Sequence, residues 1–247
     1  MKVYKYHSCE NIFLITDYKE NIDYSDVAKK LCVDVDGLIA VKYDPFEMCY
    51  FNKDGSKALM CGNGIRCTMH YLYDRFRIYK FQKIKSGDSY YNCNISSTDP
   101  MIVSVRLGIG NIIDDLINKS ILIEGKEFVV NGFHLGVDHL IIKTLNLGED
   151  LYYIEKIYNY FNQKYNVNLV YVLDDNTFEI ATYEKGVGFS KSCGTGSASS
   201  AYILHTEFGL HKNMIAISQG GILKIDIDEE IILSGSTNYL DEYEVKV

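Results

Sequence analysis

Runs of β-branched and aromatic residues, several alternating with polar ones, recur along the chain at residues 3–16, 37–43, 47–52, 102–106, 121–130 and 140–143. This two-residue period predicts strands. Residues 25–32, 65–79, 150–165 and 197–208 instead space their apolar positions three or four apart, the pattern of helices that bury one face. Strand-like runs return at 169–173, 177–182, 216–218, 222–227 and 230–234. Each half of the chain therefore reads as strands around one long helix, 65–79 in the first and 197–208 in the second. The stretch 107–118, with Gly108, Gly110 and Asn111, is the expected crossover between halves.

Two short loops stand immediately before those two helices: Cys61-Gly62-Asn63-Gly64-Ile65 and Cys193-Gly194-Thr195-Gly196-Ser197, 132 residues apart. A cysteine followed by small residues at a helix start has its sulfur near unpaired backbone N–H groups and the positive end of the helix dipole. That setting favours thiolate and can also hold a carboxylate. The glycines let backbone approach a ligand closely, and the residue between them can add a polar contact. A single cysteine of this kind is more often a small core residue, but the recurrence points to a matched pair suited to stereoinversion at a carboxylate-bearing carbon. Cys67, on the far side of the first helix from Cys61, reads as core.

Composition narrows the alternatives. With 247 residues the chain can build two units of roughly half its length. The net charge of −8 carries no Lys/Arg cluster that would track a phosphate backbone, so nucleic acid is not an expected partner. No apolar run reaches the ~20 residues of a membrane span, and residues 1–11 lack the apolar centre of a signal peptide. The expectation is a soluble, cytoplasmic protein with no membrane partner. Seven cysteines without a CxxC pair fit neither a disulfide framework nor a structural zinc site. No Lys-Ser/Thr follows either glycine loop and no GxGxxG occurs, which argues against a nucleotide site. No metal or other cofactor is called for.

The segments Asn52-Lys53-Asp54-Gly55-Ser56, Met60 to Cys67, Tyr183-Glu184-Lys185-Gly186 and Ser192 to Gly196 resemble the diaminopimelate epimerase family in order and spacing. Weaker echoes lie at His7 and Asn11, Asp36-Gly37-Leu38, Gly136 and His139, Asn166-Val167 and Gly220-Gly221, so the resemblance covers nearly the whole chain. It implies an α/β (α+β) fold of two similar lobes, each a β-barrel-like sheet wrapped around a central helix. The lobes expected are 1–112 with 237–247, carrying Cys61, and 113–236, carrying Cys193, the terminal strand 241–247 returning to the first sheet. It further implies a cofactor-independent amino-acid racemase or epimerase in which Cys61 and Cys193 exchange the parts of base and acid. The substrate contacts so implied are Gly62, Asn63, Gly194 and Thr195 at the α-carboxylate, with Asn11, Asn52, Asn166, Glu184 and Lys185 at the amine or distal groups, and His139 in support.

The chain also departs from the family pattern. A Gly-Asn-Pro-His segment reads Gly136-Val137-Asp138-His139, losing an amide, and Tyr-Glu-Arg-Gly carries Lys185 in place of arginine, trading a bidentate fork for a point charge. These changes favour a free amino acid other than diaminopimelate, histidine among the candidates, with diaminopimelate itself the alternative. Each distal residue also has a structural reading: Asn11 and Asn52 as turn caps, Lys185 and Glu184 as a surface pair, His139 as a satisfied core histidine. Competing functions are a proline-racemase-like activity, whose first motif normally has His at the Asn63 position; an isomerase of the phenazine-biosynthesis type, which lacks the cysteine pair; and a non-catalytic amino-acid or small-anion binding protein. Oligomeric state is open, a homodimer included.

Overall fold

The computed structural model describes residues 1–58 and 60–246; Val247, the last residue of the expected terminal strand, lies outside them. The chain forms two compact units, Met1–Arg106 with Ser234–Val247, and Leu107–Leu233. Four α-helices and nineteen strands are formed among the described residues, a mixed α/β architecture.

The first unit contains β1 (Lys2–Ser8), β2 (Asn11–Asp17), α1 (Tyr24–Leu31), β3 (Gly37–Tyr43), β4 (Phe46–Asn52), β5 (Lys57–Ala58), α2 (Gly62–Phe76), β6 (Gln82–Ser86), β7 (Ser89–Thr98) and β8 (Met101–Arg106). Strand alternation explains how its sheet serves two faces. In β3, Leu38 and Ala40 join Val27, Ala28 and Leu14 in a core beneath α1. Ile39, on the other face, approaches Gly64 at the start of α2. The run expected as one strand over 3–16 is a hairpin: Cys9 and Glu10 both take positive φ (50° and 59°) and reverse the chain, so Ser8 pairs with Asn11 and Tyr6 with Phe13. Paired residues share a face, so Ser8 and Asn11 stand together on the α2 side.

The second unit contains β9 (Asn111–Ile113), β10 (Lys119–Ile123), β11 (Lys126–His134), β12 (Asp138–Thr144), α3 (Leu147–Tyr160), β13 (Asn166–Asp174), β14 (Thr177–Glu184), β15 (Gly188–Ser190), α4 (Gly194–Phe208), β16 (Asn213–Ser218) and β17 (Gly221–Ile227). The run expected over 121–130 is again two strands, turned at Glu124 and Gly125 with φ of 49° and 84°. The same two-faced logic holds. Leu140 and Ile142 of β12 and Val167 and Leu169 of β13 pack in a core with Ile154 and Ile157 of α3. The alternate positions, His139, Asn166 and Asn168, fall on the opposite face, the side of α4. Thr182 of β14 pairs directly with Asn168 and shares that face, as does Glu184 two residues on.

The chain re-enters the first unit along β18 (Ile231–Ser236). It ends in β19 (Asn238–Glu244), which runs antiparallel to β1, with Lys2 opposite Glu244 and His7 opposite Asn238.

Candidate active site

Cys61 is the N-cap of α2 and Cys193 the N-cap of α4, both in extended backbone (φ −147° and −112°). Each sulfur accepts from the backbone N–H three residues on, Gly64 at 3.4 Å and Gly196 at 3.3 Å. The two motifs thus place a sulfur where an N-cap oxygen ordinarily sits, against the positive end of a helix dipole. No acidic residue occupies the first turn of either helix, so nothing there competes for that field.

In the first unit, Asn63 is buried and its amide donates to Asn11 Oδ1. Its own carbonyl accepts from Arg66, a fully buried guanidinium that also donates from Nε and Nη2 to Ser8 Oγ at 3.1 and 3.0 Å. Arg66 Nη1 has no hydrogen-bond partner among the described residues. The direction of this chain is fixed because a guanidinium only donates: Arg66 orients Asn63, and Asn63 orients Asn11 so that the Asn11 amide N–H groups point away from it. Asn52 is not part of the network. Its side chain donates to Ser56 Oγ at 2.9 Å and its backbone closes the turn through Gly55 and Ser56.

In the second unit, Thr195 Oγ1 lies 3.5 Å from Cys193 Sγ and 3.1 Å from His139 Nε2. Burial pushes His139 down to about 3, so the imidazole is neutral. The Glu184 carboxyl is pushed above its ordinary range by burial, while hydrogen bonds from Ser190 and Cys193 pull the other way. Asn166 accepts the Lys185 backbone N–H at 2.8 Å and so holds the turn after β14; the Lys185 side chain is exposed, as is Val137. The structure therefore gathers Cys193, Gly194, Thr195, His139 and Glu184 at one helix end. Asn166 acts there through backbone.

The remaining cysteines differ in kind. Cys67 is fully buried, and burial drives its thiol far above the ordinary range. Cys93 behaves likewise, and Cys32 is pushed up to about 11. No cluster of metal-ligating side chains forms among the described residues, and no helix of the described residues is long and apolar enough to cross a membrane. Two contributors escaped the sequence reading. Arg66 sits one residue past the glycine loop, and Asn168 repeats Asn166 on the same face of an otherwise apolar strand, a signal that was present in Asn-Val-Asn-Leu-Val.

The diaminopimelate epimerase family model matches residues 3–86. A diaminopimelate epimerase of Alkaliphilus metalliredigens is 30% identical over 258 residues, spanning 93% of this chain and 91% of its own. The chain belongs to the diaminopimelate epimerase family. It is thereby an enzyme of the epimerase and racemase class. A second member, from Clostridium perfringens, is 30% identical over 271 residues and matches 97% of each chain. Solved structures share the fold at low identity. A hydroxyproline epimerase from Agrobacterium vitis superposes with a TM-score of 0.74 at 12% identity, covering 99% of this chain and 90% of its own. A PhzF-family phenazine biosynthesis protein from Bacillus anthracis gives 0.74 at 16%, covering 100% and 99%.

Proposed function

We propose that Cys61 and Cys193 are the acid–base pair of a cofactor-independent amino-acid epimerisation. The observation that carries this reading is the duplication: each unit caps its central helix with a cysteine whose sulfur accepts from the helix's third N–H. In one direction a thiolate takes the α-proton, forming S–H and leaving the electron pair on the α-carbon and its carboxylate. The other thiol gives its proton to the opposite face, becoming thiolate. The opposite enantiomer uses the pair in reverse. Backbone N–H groups of Gly62, Asn63, Gly194 and Thr195 suit the α-carboxylate, whose charge grows as the carbanion forms, and preorganised donors of this kind supply much of the barrier reduction. General acid–base transfer itself is worth ~10²–10⁴-fold.

The substrate is a free amino acid, and the distal residues favour one other than diaminopimelate, with histidine a candidate. Val137 offers no hydrogen bond, and Lys185 offers one point charge in place of a fork. A second reading, diaminopimelate itself, draws on the diaminopimelate epimerases of Alkaliphilus metalliredigens and Clostridium perfringens, which match almost the full chain. The Asn11 amide, directed by Arg66 and Asn63, would serve either as a donor to a distal acceptor.

Proton NMR in D₂O tests this directly. The reduced protein is incubated with LL-diaminopimelate, L-histidine and a panel of other L-amino acids, and each α-proton signal is followed. Loss of one signal, with appearance of the inverted stereoisomer, identifies the substrate. Exchange of diaminopimelate alone selects the second reading, and no exchange across the panel with thiols reduced favours a binding protein.

A further inference from the structure

Asn168 is fully buried on β13, belongs to no motif, and makes three hydrogen-bond contacts that together settle where the protons lie at the Cys193 helix end. Its side-chain nitrogen lies 3.0 Å from Leu140 O, an atom that only accepts, so the atom facing it is the amide NH₂. The second hydrogen of that NH₂ points to His139 Nδ1 at 3.1 Å. Its oxygen accepts from Thr182 Oγ1 at 2.9 Å, consistent with the same orientation. Because Nδ1 of the neutral imidazole accepts, the ring proton is on Nε2. Nε2–H then donates to Thr195 Oγ1 at 3.1 Å. With an oxygen lone pair so engaged, the Thr195 hydroxyl hydrogen is available to Cys193 Sγ, 3.5 Å away.

We propose that Asn168 is a positioning residue for Cys193: by fixing the His139 tautomer it aims the Thr195 hydroxyl hydrogen at the sulfur and stabilises the thiolate. With the opposite tautomer Nε2 would accept, Thr195 would donate to the ring, and the sulfur would lose a donor. The packing is consistent with a fixed amide, since a Cβ at Gly196 would lie 2.4 Å from Asn168 Oδ1, so glycine there leaves room for this side chain. The inference rests on the proposed acid–base role of Cys193, yet its test needs no substrate.

Two measurements decide it. Nitrogen-15 NMR of the histidine rings in the full chain reports the tautomer; Nδ1 unprotonated and Nε2 protonated in His139 is expected, and protonation at Nδ1 overturns the proposal. The pH profile of iodoacetamide alkylation at Cys193, located by peptide mass spectrometry in a Cys61→Ser background, reports the thiolate. Glu184 on β14, which is hydrogen-bonded to Cys193, His139 on β12, which reaches it through Thr195, and Lys191 two residues upstream are titratable groups beside this sulfur, and none of them is substituted in the variants compared.

Thr195→Val should raise the alkylation midpoint by about one pH unit, the scale of one hydrogen bond to a charged group. Asn168→Leu should raise it similarly, and the double variant no further, because both remove the same bond. Additive shifts, or no shift in Thr195→Val, overturn the proposal. If Asn168→Leu does not fold, the tautomer and the Thr195→Val profile decide the matter.

Discussion

A Cβ built on Gly196 would fall 2.4 Å from Asn168 Oδ1 and 3.2 Å from Cys193 Sγ, whereas one on the matching Gly64 meets Ile39 Cδ1 at 3.3 Å and Met48 Sδ at 3.4 Å. Two motifs that look alike in sequence are therefore unequal. Gly196→Ala should displace the groups that hold the sulfur and reduce turnover by ~100-fold or more, the scale of an ångström-sized misplacement at a reacting centre. Gly64→Ala presses on the flexible ends of two side chains, meets Cys61 Cβ at 3.4 Å, an ordinary contact distance, and gains helix propensity, so its stability should stay within ~1 kcal/mol of the parent. Steady-state kinetics and urea unfolding of both variants check the asymmetry.

Arg66 is a buried cation that donates to Ser8, Asn63 and Cys9, with no carboxylate among these partners. Arg66→Leu removes the donor that orients Asn63 and leaves the buried Asn63 carbonyl and Ser8 hydroxyl without it. A loss of about 2–4 kcal/mol in urea unfolding is expected. Arg66→Lys, which cannot reach Ser8 and Asn63 with a planar fork, should fold better yet raise KM more than it lowers kcat. An unchanged KM in a folded Arg66→Lys would remove Arg66 from the account of substrate binding.

The pH dependence of stability follows from His139. Its folded-state value of about 3 lies below the ordinary 6.5, so between these values the unfolded chain binds the extra proton. Stability contributed by this burial is present above pH 6.5 and is lost as pH falls from 6.5 toward 3. His139→Gln should flatten the slope of unfolding free energy against pH in that window, measured by urea titration at several pH values. Glu184 acts in the opposite direction: its raised value makes the ionised form costly in the folded state, so stability declines as pH rises from 4.5 through the raised value. Glu184→Gln should therefore be the more stable protein at pH 8 while losing activity.

Cys67→Ala separates core from chemistry. The thiol is sealed beneath α2 and behaves as a small apolar group. Turnover should stay within ~3-fold of the parent, with a stability cost of ~1–2 kcal/mol. In native protein, iodoacetamide should label Cys61, which is half-buried, well before Cys67.

The helices and most strands were legible because their periods are strong, and both cysteine loops were legible because the motif recurs. The reading failed where backbone departed from the residue signals. Cys9 and Glu10 turn the β1–β2 hairpin with positive φ and no glycine or proline, so nothing at residues 8–11 marked the break between two strands. The helix starts at Gly62 and Gly194 were placed three residues late, because glycines read as loop while the preceding cysteine was in fact the cap. Strands β6 and β7 escaped because Lys83, Ser89, Tyr90 and Asn92 are solvent-facing and blur the alternation. Within the candidate site, the motif residues were legible as candidates, but the residues that orient them were not. Arg66 and Asn168 act through hydrogen-bond direction, which no spacing encodes.

The central claim is that both thiols are needed for one inversion. It is tested by measuring epimerisation of the substrate identified by NMR with Cys61→Ser and Cys193→Ser, each confirmed folded by circular dichroism. The account predicts that either change alone lowers turnover by at least ~10²–10⁴-fold, the worth of a positioned acid or base. Full epimerisation by either single variant would contradict it.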